Sequence, residues 1–191
     1  MTDFIINSVL LGTGLAMDAF SVSVADAISE PCMKRRKMVY IPLLFAAFQA
    51  LMPIIGWFCI HSLVGYFSFI ERFIPFISFG LLALIGGNMI REGITCNEEE
   101  GCVGKLSIGV LLAQGVATSI DALSVGFKLS EYDALRALAS AAIIAAVTFL
   151  ICLAGIVIGK KVGDKFSSKA QVLGGGILVL MAVKFLIEGL I

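Results

Sequence analysis

Two aspartates lie inside long apolar stretches of this chain, and nearly the same short phrase surrounds each of them. The first phrase reads GLAMDAFSVS around Asp18 and the second reads ATSIDALSVG around Asp121, so Ser21 corresponds to Ser124. An ionised carboxylate near the centre of a membrane helix costs roughly 2.5–3.5 kcal/mol, and such residues usually face a polar interior where they have a function. The repetition therefore predicts that the two carboxylates form the two sides of one cation site.

Helical spacing places further oxygen atoms near the aspartates. Ser21 follows Asp18 by three residues, while Thr118 and Ser124 stand three residues before and after Asp121, so these hydroxyls share a helix face with a carboxylate. Two amides inside other apolar segments are further candidates, although each could equally pack against a neighbouring helix. The predicted metal ligands are Asp18, Asp121, Ser21, Ser124, Thr118, Asn88 and Gln49.

An all-oxygen ligand set favours magnesium, calcium or manganese over copper(I) or zinc, but it does not distinguish among the first three. Two carboxylates also cancel the charge of one divalent ion, which avoids a net charge in a low dielectric. The alternative is that small residues merely pack the helices and that each aspartate is neutralised by a proton or by Lys184. Lys184 and Glu188, four residues apart, are expected to form a structural ion pair, or the lysine to snorkel, rather than to belong to the ion path. Asp26 and Glu30 are expected to be solvated, with a role in an entry vestibule as the alternative.

The composition assigns the chain to the membrane. Hydrophobic residues make up 59% of it and charged residues only 15%, and the mean hydropathy is +1.03, all far from the balance of soluble proteins. At about 20 residues per span, the chain has room for roughly six helices and no soluble domain, so a single membrane domain in a lipid bilayer is expected. The predicted segments are 4–25, 38–60, 73–92, 106–127, 137–158 and 171–191.

The basic residues predict the orientation of these helices. Three connections between predicted helices hold most of the positive charge: the first has Lys34, Arg35, Arg36 and Lys37, the third has Arg91 and Lys105, and the fifth has Lys160, Lys161, Lys165 and Lys169. By the positive-inside rule these connections are cytoplasmic and both termini lie outside. The formal net charge is zero, which argues against a nucleic-acid partner.

The repeat extends beyond the aspartate phrases. The second segments align so that Gln49 corresponds to Thr148, and the third segments align so that Asn88 corresponds to Lys184. Repeat one would cover about residues 4–94 and repeat two about residues 106–191. Because each half contains an odd number of spans, the halves must enter the membrane with opposite topology. The fold class predicted is therefore an all-α integral membrane protein of six transmembrane helices, arranged as a 3+3 inverted repeat.

Several phrases together resemble one transporter family over nearly the whole chain. The phrases AMDAFSVS, FQALMPIIGW, GGNMIREG, ATSIDALSVGF and AQVLGGGIL are similar to those of the MntP-type manganese efflux pumps, a branch of the LysE-like exporters. The resemblance implies export of manganese(II) from the bacterial cytoplasm by a multi-pass protein of the plasma membrane. It places Asp18 and Asp121 at the motif positions of the family.

The leading hypothesis is a secondary transporter that exports manganese(II), with protons as counter-ion, since protons and metal would compete for the same carboxylates. No ATP-binding GxxxxGK[ST] phrase occurs, so an ion gradient would have to drive transport. The alternative is a LysE-like exporter of an amino acid or another small organic cation, which would need a larger and partly apolar cavity. An enzyme is disfavoured because no HExxH or Ser/His phrase is present. No cofactor is expected besides manganese as transported substrate, and the sequence leaves the oligomeric state open.

Overall fold

The computed structural model describes residues 2–30, 33–62, 74–95, 106–129, 132–165 and 170–190. Over these residues all regular secondary structure is α-helical, which confirms the predicted fold class at the level of an all-α protein. The six helices lie close to the predicted segments, and most of them extend further than predicted. They are α1 (Thr2–Ser29), α2 (Arg35–Ser62), α3 (Ile74–Thr95), α4 (Ile108–Leu129), α5 (Ala134–Lys165) and α6 (Ala170–Leu190).

Four of these helices, α1, α2, α4 and α5, are long and apolar enough to cross a bilayer. Within the described residues, α3 and α6 contain shorter apolar stretches, Phe79–Arg91 and Val172–Lys184. Large apolar side chains also cover the outer surface of the bundle, among them Leu84, Leu135 and Leu180, each more than two-thirds exposed. A helix surface of this kind matches lipid rather than water, as expected of a multi-pass membrane protein.

The helices that carry the two aspartates, α1 and α4, run antiparallel. At one end the ring of Phe4 meets the ring of Tyr132, with 5.5 Å between their centroids. At the other end Asp26 accepts a hydrogen bond from Gln114. We call these two ends of the bundle the Phe4 end and the Asp26 end.

Close approaches at glycine hold α1 against α5 and α2 against α4. A Cβ atom added at Gly155 would lie 3.0 Å from the Phe20 carbonyl oxygen, and one added at Gly56 would lie 2.3 Å from the Leu123 carbonyl oxygen. Residues without a side chain let helix backbones meet at these distances, which is how membrane helices gain packing energy without a hydrophobic driving force. These contacts fix the height of α1 and α4 in the bundle.

Helix α6 completes the surroundings of the first aspartate. It packs against α3, where a Cβ atom added at Gly86 would lie 2.8 Å from the Gly175 carbonyl oxygen. It also runs along α1 in the opposite direction, because Gly174 meets the last turn of α1 at Ser29 while Lys184 reaches Asp18. A basic side chain is thus positioned at mid-height of α1.

Candidate cation site

The carboxylate of Asp18 is almost completely buried, and its partner is a lysine from the other half of the chain. Lys184 Nζ donates a hydrogen bond of 2.7 Å to Asp18 Oδ1, and the side chain of Asp18 is 8% exposed against 46% for Lys184. The alternative weighed from the sequence, that Lys184 neutralises an aspartate, is therefore confirmed for Asp18. The expected pairing with Glu188 stays a prediction, because the side chain of that residue lies outside the described part of the structure. A cation bound at Asp18 would have to compete with the ammonium group.

Asp121 lies close enough to Asp18 and Lys184 to be influenced by their charges. Its carboxylate interacts with the negative charge of Asp18 and with the positive charge of Lys184. Its Oδ1 atom accepts a 2.9 Å hydrogen bond from the backbone N–H of Ala122. Across the described ranges no three His, Cys, Asp or Glu side chains are grouped so that they could hold a metal ion. A cation held by the two aspartates would therefore need hydroxyl, amide or carbonyl oxygens as its remaining ligands.

A cavity of about 680 Å³ extends from Asp121 towards the Phe4 end. Helix α1 lines it with residues that include Asn7 and Leu11, and helix α4 and the residues after it contribute Leu129 and Tyr132. Most of the lining side chains are apolar, and Asp121 supplies the charge. The cavity therefore connects one of the two aspartates with one end of the bundle.

Gln49 joins the two helices that carry the aspartates. Its Nε2 atom donates hydrogen bonds to the carbonyl oxygens of Leu15, at 3.2 Å, and Thr118, at 3.0 Å. These carbonyls occupy corresponding positions, three residues before Asp18 and three residues before Asp121. The Oε1 atom of Gln49 is buried and has no hydrogen-bond partner among the described residues, so the oxygen remains available to a ligand.

The remaining predicted ligands differ in their placement. Thr118 is buried and Ser21 is partly buried, and each hydroxyl donates to the carbonyl oxygen four residues earlier in its helix. Both hydroxyl oxygens keep lone pairs that could accept or coordinate. Ser124 and Asn88 lie on exposed parts of α4 and α3. The structure thus places Gln49 and Thr118 inside the bundle near the aspartates and places Ser124 and Asn88 at its surface.

Buried polar groups at the Asp26 end were missed by the sequence reasoning. The expectation that Asp26 is solvated is wrong, since this residue is completely buried and its Oδ1 atom accepts a 2.8 Å hydrogen bond from Gln114 Nε2. The reason is that α4 and the start of α6 cover the last turns of α1, where Gly174 approaches the Ala25 carbonyl oxygen. Gln114 had a signal in the sequence, because an amide two helical turns before Asp121 shares its face.

Glu30 is not freely solvated either. Its side chain is 13% exposed and forms an ion pair with Lys37. Lys37 also donates to the carbonyl oxygen of Leu106, and the backbone N–H of Leu106 donates to Glu30. Glu30 therefore ties the end of α1 to the starts of α2 and α4.

These features define a class of protein: a multi-pass helical membrane protein that carries one carboxylate on each of two antiparallel helices inside its bundle. Residues 32–186 match the family described as "Putative manganese efflux pump". Proteins named "Putative manganese efflux pump MntP" from Ruminiclostridium cellulolyticum and Methanosphaera stadtmanae are each 40% identical to this chain; the alignments cover 94% of this chain and 94% and 97% of those proteins. A protein of the same name from Gloeothece citriformis is 38% identical, over 97% of this chain and 96% of its own length. No solved structure matches the chain. The chain belongs to the family of MntP manganese efflux pumps.

Proposed function

We propose that this protein is a six-span secondary transporter of the bacterial plasma membrane that exports manganese(II) from the cytoplasm in exchange for protons. Asp18 and Asp121 are its principal cation ligands. One observation carries the proposal: Gln49 joins the helical turns that precede Asp18 and Asp121, so two carboxylates from antiparallel helices lie at the same level in a chain of the manganese efflux pump family. Once manganese displaces the Lys184 ammonium from Asp18, the two carboxylates balance the charge of one divalent ion.

Neutral oxygens inside the bundle support a manganese site. Gln49 and Thr148 occupy corresponding positions, and Gln49 Oε1 and Thr148 Oγ1 are both buried without a hydrogen-bond partner among the described residues. Pro53 has no N–H group, so the carbonyl of Gln49 cannot accept the usual helical hydrogen bond four residues on. Oxygens freed in this way coordinate cations in other secondary transporters. Ser21 and Thr118 supply hydroxyl oxygens to the same proposed site.

Two of the sequence-predicted ligands require movement. Ser124 and Asn88 are exposed in this structure, so each could join the ligand shell only after its helix rotates or shifts. We keep them as ligands of an alternative conformation in the transport cycle. The variants Ser124→Ala and Asn88→Ala should then change the maximal rate of transport more than the affinity for manganese.

Competition among cations gives the exchange its physical basis. In this structure the Lys184 ammonium occupies Asp18, so manganese must displace it to bind. Protons compete with the metal for the same carboxylate oxygens, and metal binding at a carboxylate releases protons. A proton gradient directed into the cell would therefore help to discharge manganese outside.

An inverted repeat would let one site face each side of the membrane in turn. Helix packing at corresponding positions of the two halves supports such a repeat. The close approach of Gly155 to the carbonyl oxygen of Phe20 has a counterpart at the corresponding positions, where Gly56 approaches Leu123. Gln49 binds the carbonyls of corresponding residues in α1 and α4. With the basic connections in the cytoplasm, the Asp26 end faces the cytoplasm and the Phe4 end faces outside.

The orientation has its own test. A cysteine that replaces Arg35 should react with an impermeant thiol reagent only from the cytoplasmic side, and one that replaces Asp133 only from outside. The experiment uses a variant in which the native cysteines are replaced. Labelling of both positions from the same side would contradict the proposed topology.

The transport function is tested in proteoliposomes. Purified protein is reconstituted with a proton gradient, and the fluxes of manganese, magnesium, calcium, zinc and a cationic amino acid are compared. We expect manganese flux that depends on the gradient and that is lost in Asp18→Asn and Asp121→Asn. Asp133→Asn, which removes an exposed charge, is the matched control and should transport normally. Flux of the amino acid without flux of manganese would replace the proposal with the organic-cation alternative.

A further inference from the structure

The Asp26 end of the α1–α4 crossing contains a buried polar cluster that the Asp18 and Asp121 site does not use. Asp26 and Gln114 are both completely buried and are joined by a single 2.8 Å hydrogen bond. Within the described ranges, Asp26 Oδ2 and Gln114 Oε1 have no hydrogen-bond partner. The buried hydroxyl of Ser23, one helical turn before Asp26, has only the weakly hydrogen-bonding thiol of Cys152 beside it. Unpaired oxygen atoms are rare at such burial, because each loses its hydration without compensation.

Charge makes this cluster more unusual. The nearby lysine, Lys37, influences Asp26 electrostatically, but its ammonium group is bound to Glu30 and to the Leu106 carbonyl oxygen. On α5, the thiol of Cys152 is the neighbouring titratable group, beside Ser23. None of these groups is a cation in contact with Asp26. Asp26 therefore keeps one unpaired carboxyl oxygen in a cluster that contains two further oxygens, those of Gln114 and Ser23.

The correspondence between the two halves relates this cluster to the cavity at the other end. Residues of α1 correspond to residues of α4 with the spacing that relates Asp18 to Asp121, so Leu11 corresponds to Gln114 and Asp26 corresponds to Leu129. Leu11 and Leu129 line the cavity beside Asp121. At the Asp26 end the corresponding residues, Asp26 and Gln114, are polar, and they are completely buried rather than exposed to a cavity. If the bundle opens at each end in turn, Asp26 and Gln114 will line the cavity that leads to Asp18.

We propose that Asp26 and Gln114, together with Ser23, form a second binding site for a divalent cation, which the ion occupies before it reaches Asp18 and Asp121. Asp26 Oδ2, Gln114 Oε1 and the Ser23 hydroxyl are its ligands, and water completes the shell when this end is open. Oxygen ligands of this kind suit hard divalent ions. Asp26 follows Asp18 by eight residues, about 12 Å along a helix, so the two sites are distinct.

One carboxylate in place of two makes this the weaker site, as an entry site requires, because an ion must leave it to move on. The role as an entry site rests on the proposed manganese export, since that function sets the direction of movement. The binding itself does not depend on it. Two experiments therefore separate the site from the transport function.

The first experiment measures binding in detergent with manganese(II) alone as the probe. In the Asp18→Asn/Asp121→Asn protein the principal site is disabled, and electron paramagnetic resonance of free manganese should detect one remaining weak site. Adding Asp26→Asn should weaken that site by at least about tenfold, the loss typical of removing a residue that supports a metal. Asparagine can still accept the hydrogen bond from Gln114, so the fold should be kept. Equal binding by the two proteins would overturn the proposal.

Glu30→Gln in the same background is the matched control. It removes a carboxylate from the same end of α1, but this carboxylate is already paired with Lys37. Its manganese affinity should equal that of the double variant. A loss as large as that of Asp26→Asn would overturn the proposal, because it would show that manganese responds to the general charge of this end.

The second experiment measures transport by vesicles loaded from the Asp26 end. Asp26→Asn in the otherwise native protein should raise the half-saturating manganese concentration at least about tenfold and leave the maximal rate within about twofold, as expected when only binding is lost. A lower maximal rate and melting temperature with unchanged half-saturation would show a structural role and overturn the proposal. If the native protein moves no manganese, the proposed function fails, and the binding experiment still decides whether the second site exists.

Discussion

Lys184 offers the sharpest test of the site, because its ammonium group occupies the position of a cation. It lies 2.7 Å from Asp18 Oδ1, and manganese cannot bind that oxygen while the ammonium remains. We predict that Lys184→Gln binds manganese more tightly than the native protein. Release should become slower for the same reason, so the maximal rate of transport should fall.

The size of the effect follows from the geometry of the ion pair. At 2.7 Å, two unit charges attract by about 1.5 kcal/mol in a water-like dielectric and by about 6 kcal/mol at an effective dielectric constant of 20. The lower figure applies because the lysine side chain is 46% exposed and solvent screens such pairs strongly. About 1.4 kcal/mol corresponds to a tenfold change in a dissociation constant. We therefore expect manganese to bind roughly tenfold more tightly.

The assay is manganese binding to purified protein, followed by electron paramagnetic resonance. Lys184→Arg, which keeps the positive charge, is the control and should bind with nearly native affinity. An unchanged or weaker affinity in Lys184→Gln would refute the reasoning. A lower melting temperature with unchanged affinity would show that the lysine only holds α6 against α1.

The two aspartate variants should differ in melting temperature. Asp121→Asn should melt at a higher temperature than the native protein because it loses the repulsion between the carboxylates. Asp18→Asn should melt at a lower temperature because Lys184 loses its counter-charge. The opposite order in detergent melts would contradict the ion pair. Gly126→Ala should cost about 1–3 kcal/mol of stability, since its Cβ atom would lie 2.4 Å from a carbonyl oxygen of α2, while Gly80→Ala, with nothing within 4 Å, should melt like the native protein. Thr148→Val should keep or raise the melting temperature but weaken manganese binding, because it removes a buried hydroxyl that has no hydrogen-bond partner among the described residues; unchanged binding would exclude this residue as a ligand.

The sequence by itself determined the features that depend on local order along the chain. Long apolar runs must form helices in a bilayer, because the backbone has no other way to satisfy its hydrogen bonds there, and the helices observed follow those runs. The repeated phrases around Asp18 and Asp121 identified the two carboxylates, and the motifs around them predicted the family that the comparisons confirm. The choice of these two carboxylates as candidate site residues required no tertiary contact, since a charge inside the membrane is costly wherever its helix packs.

Only the tertiary structure decided which side chains meet. Asp18 and Lys184 are 166 positions apart, and no sequence pattern pairs them, whereas Glu188 lies at the ordinary helical spacing from the lysine. The sequence suggested that Asp26 is solvated because it lies near a helix end. The helices that cover it come from distant parts of the chain, which the local sequence does not reveal. The physical reason is that periodicity sets which face of a helix is apolar, while the height and rotation of each helix come from close contacts between distant segments, such as Gly174 against the end of α1.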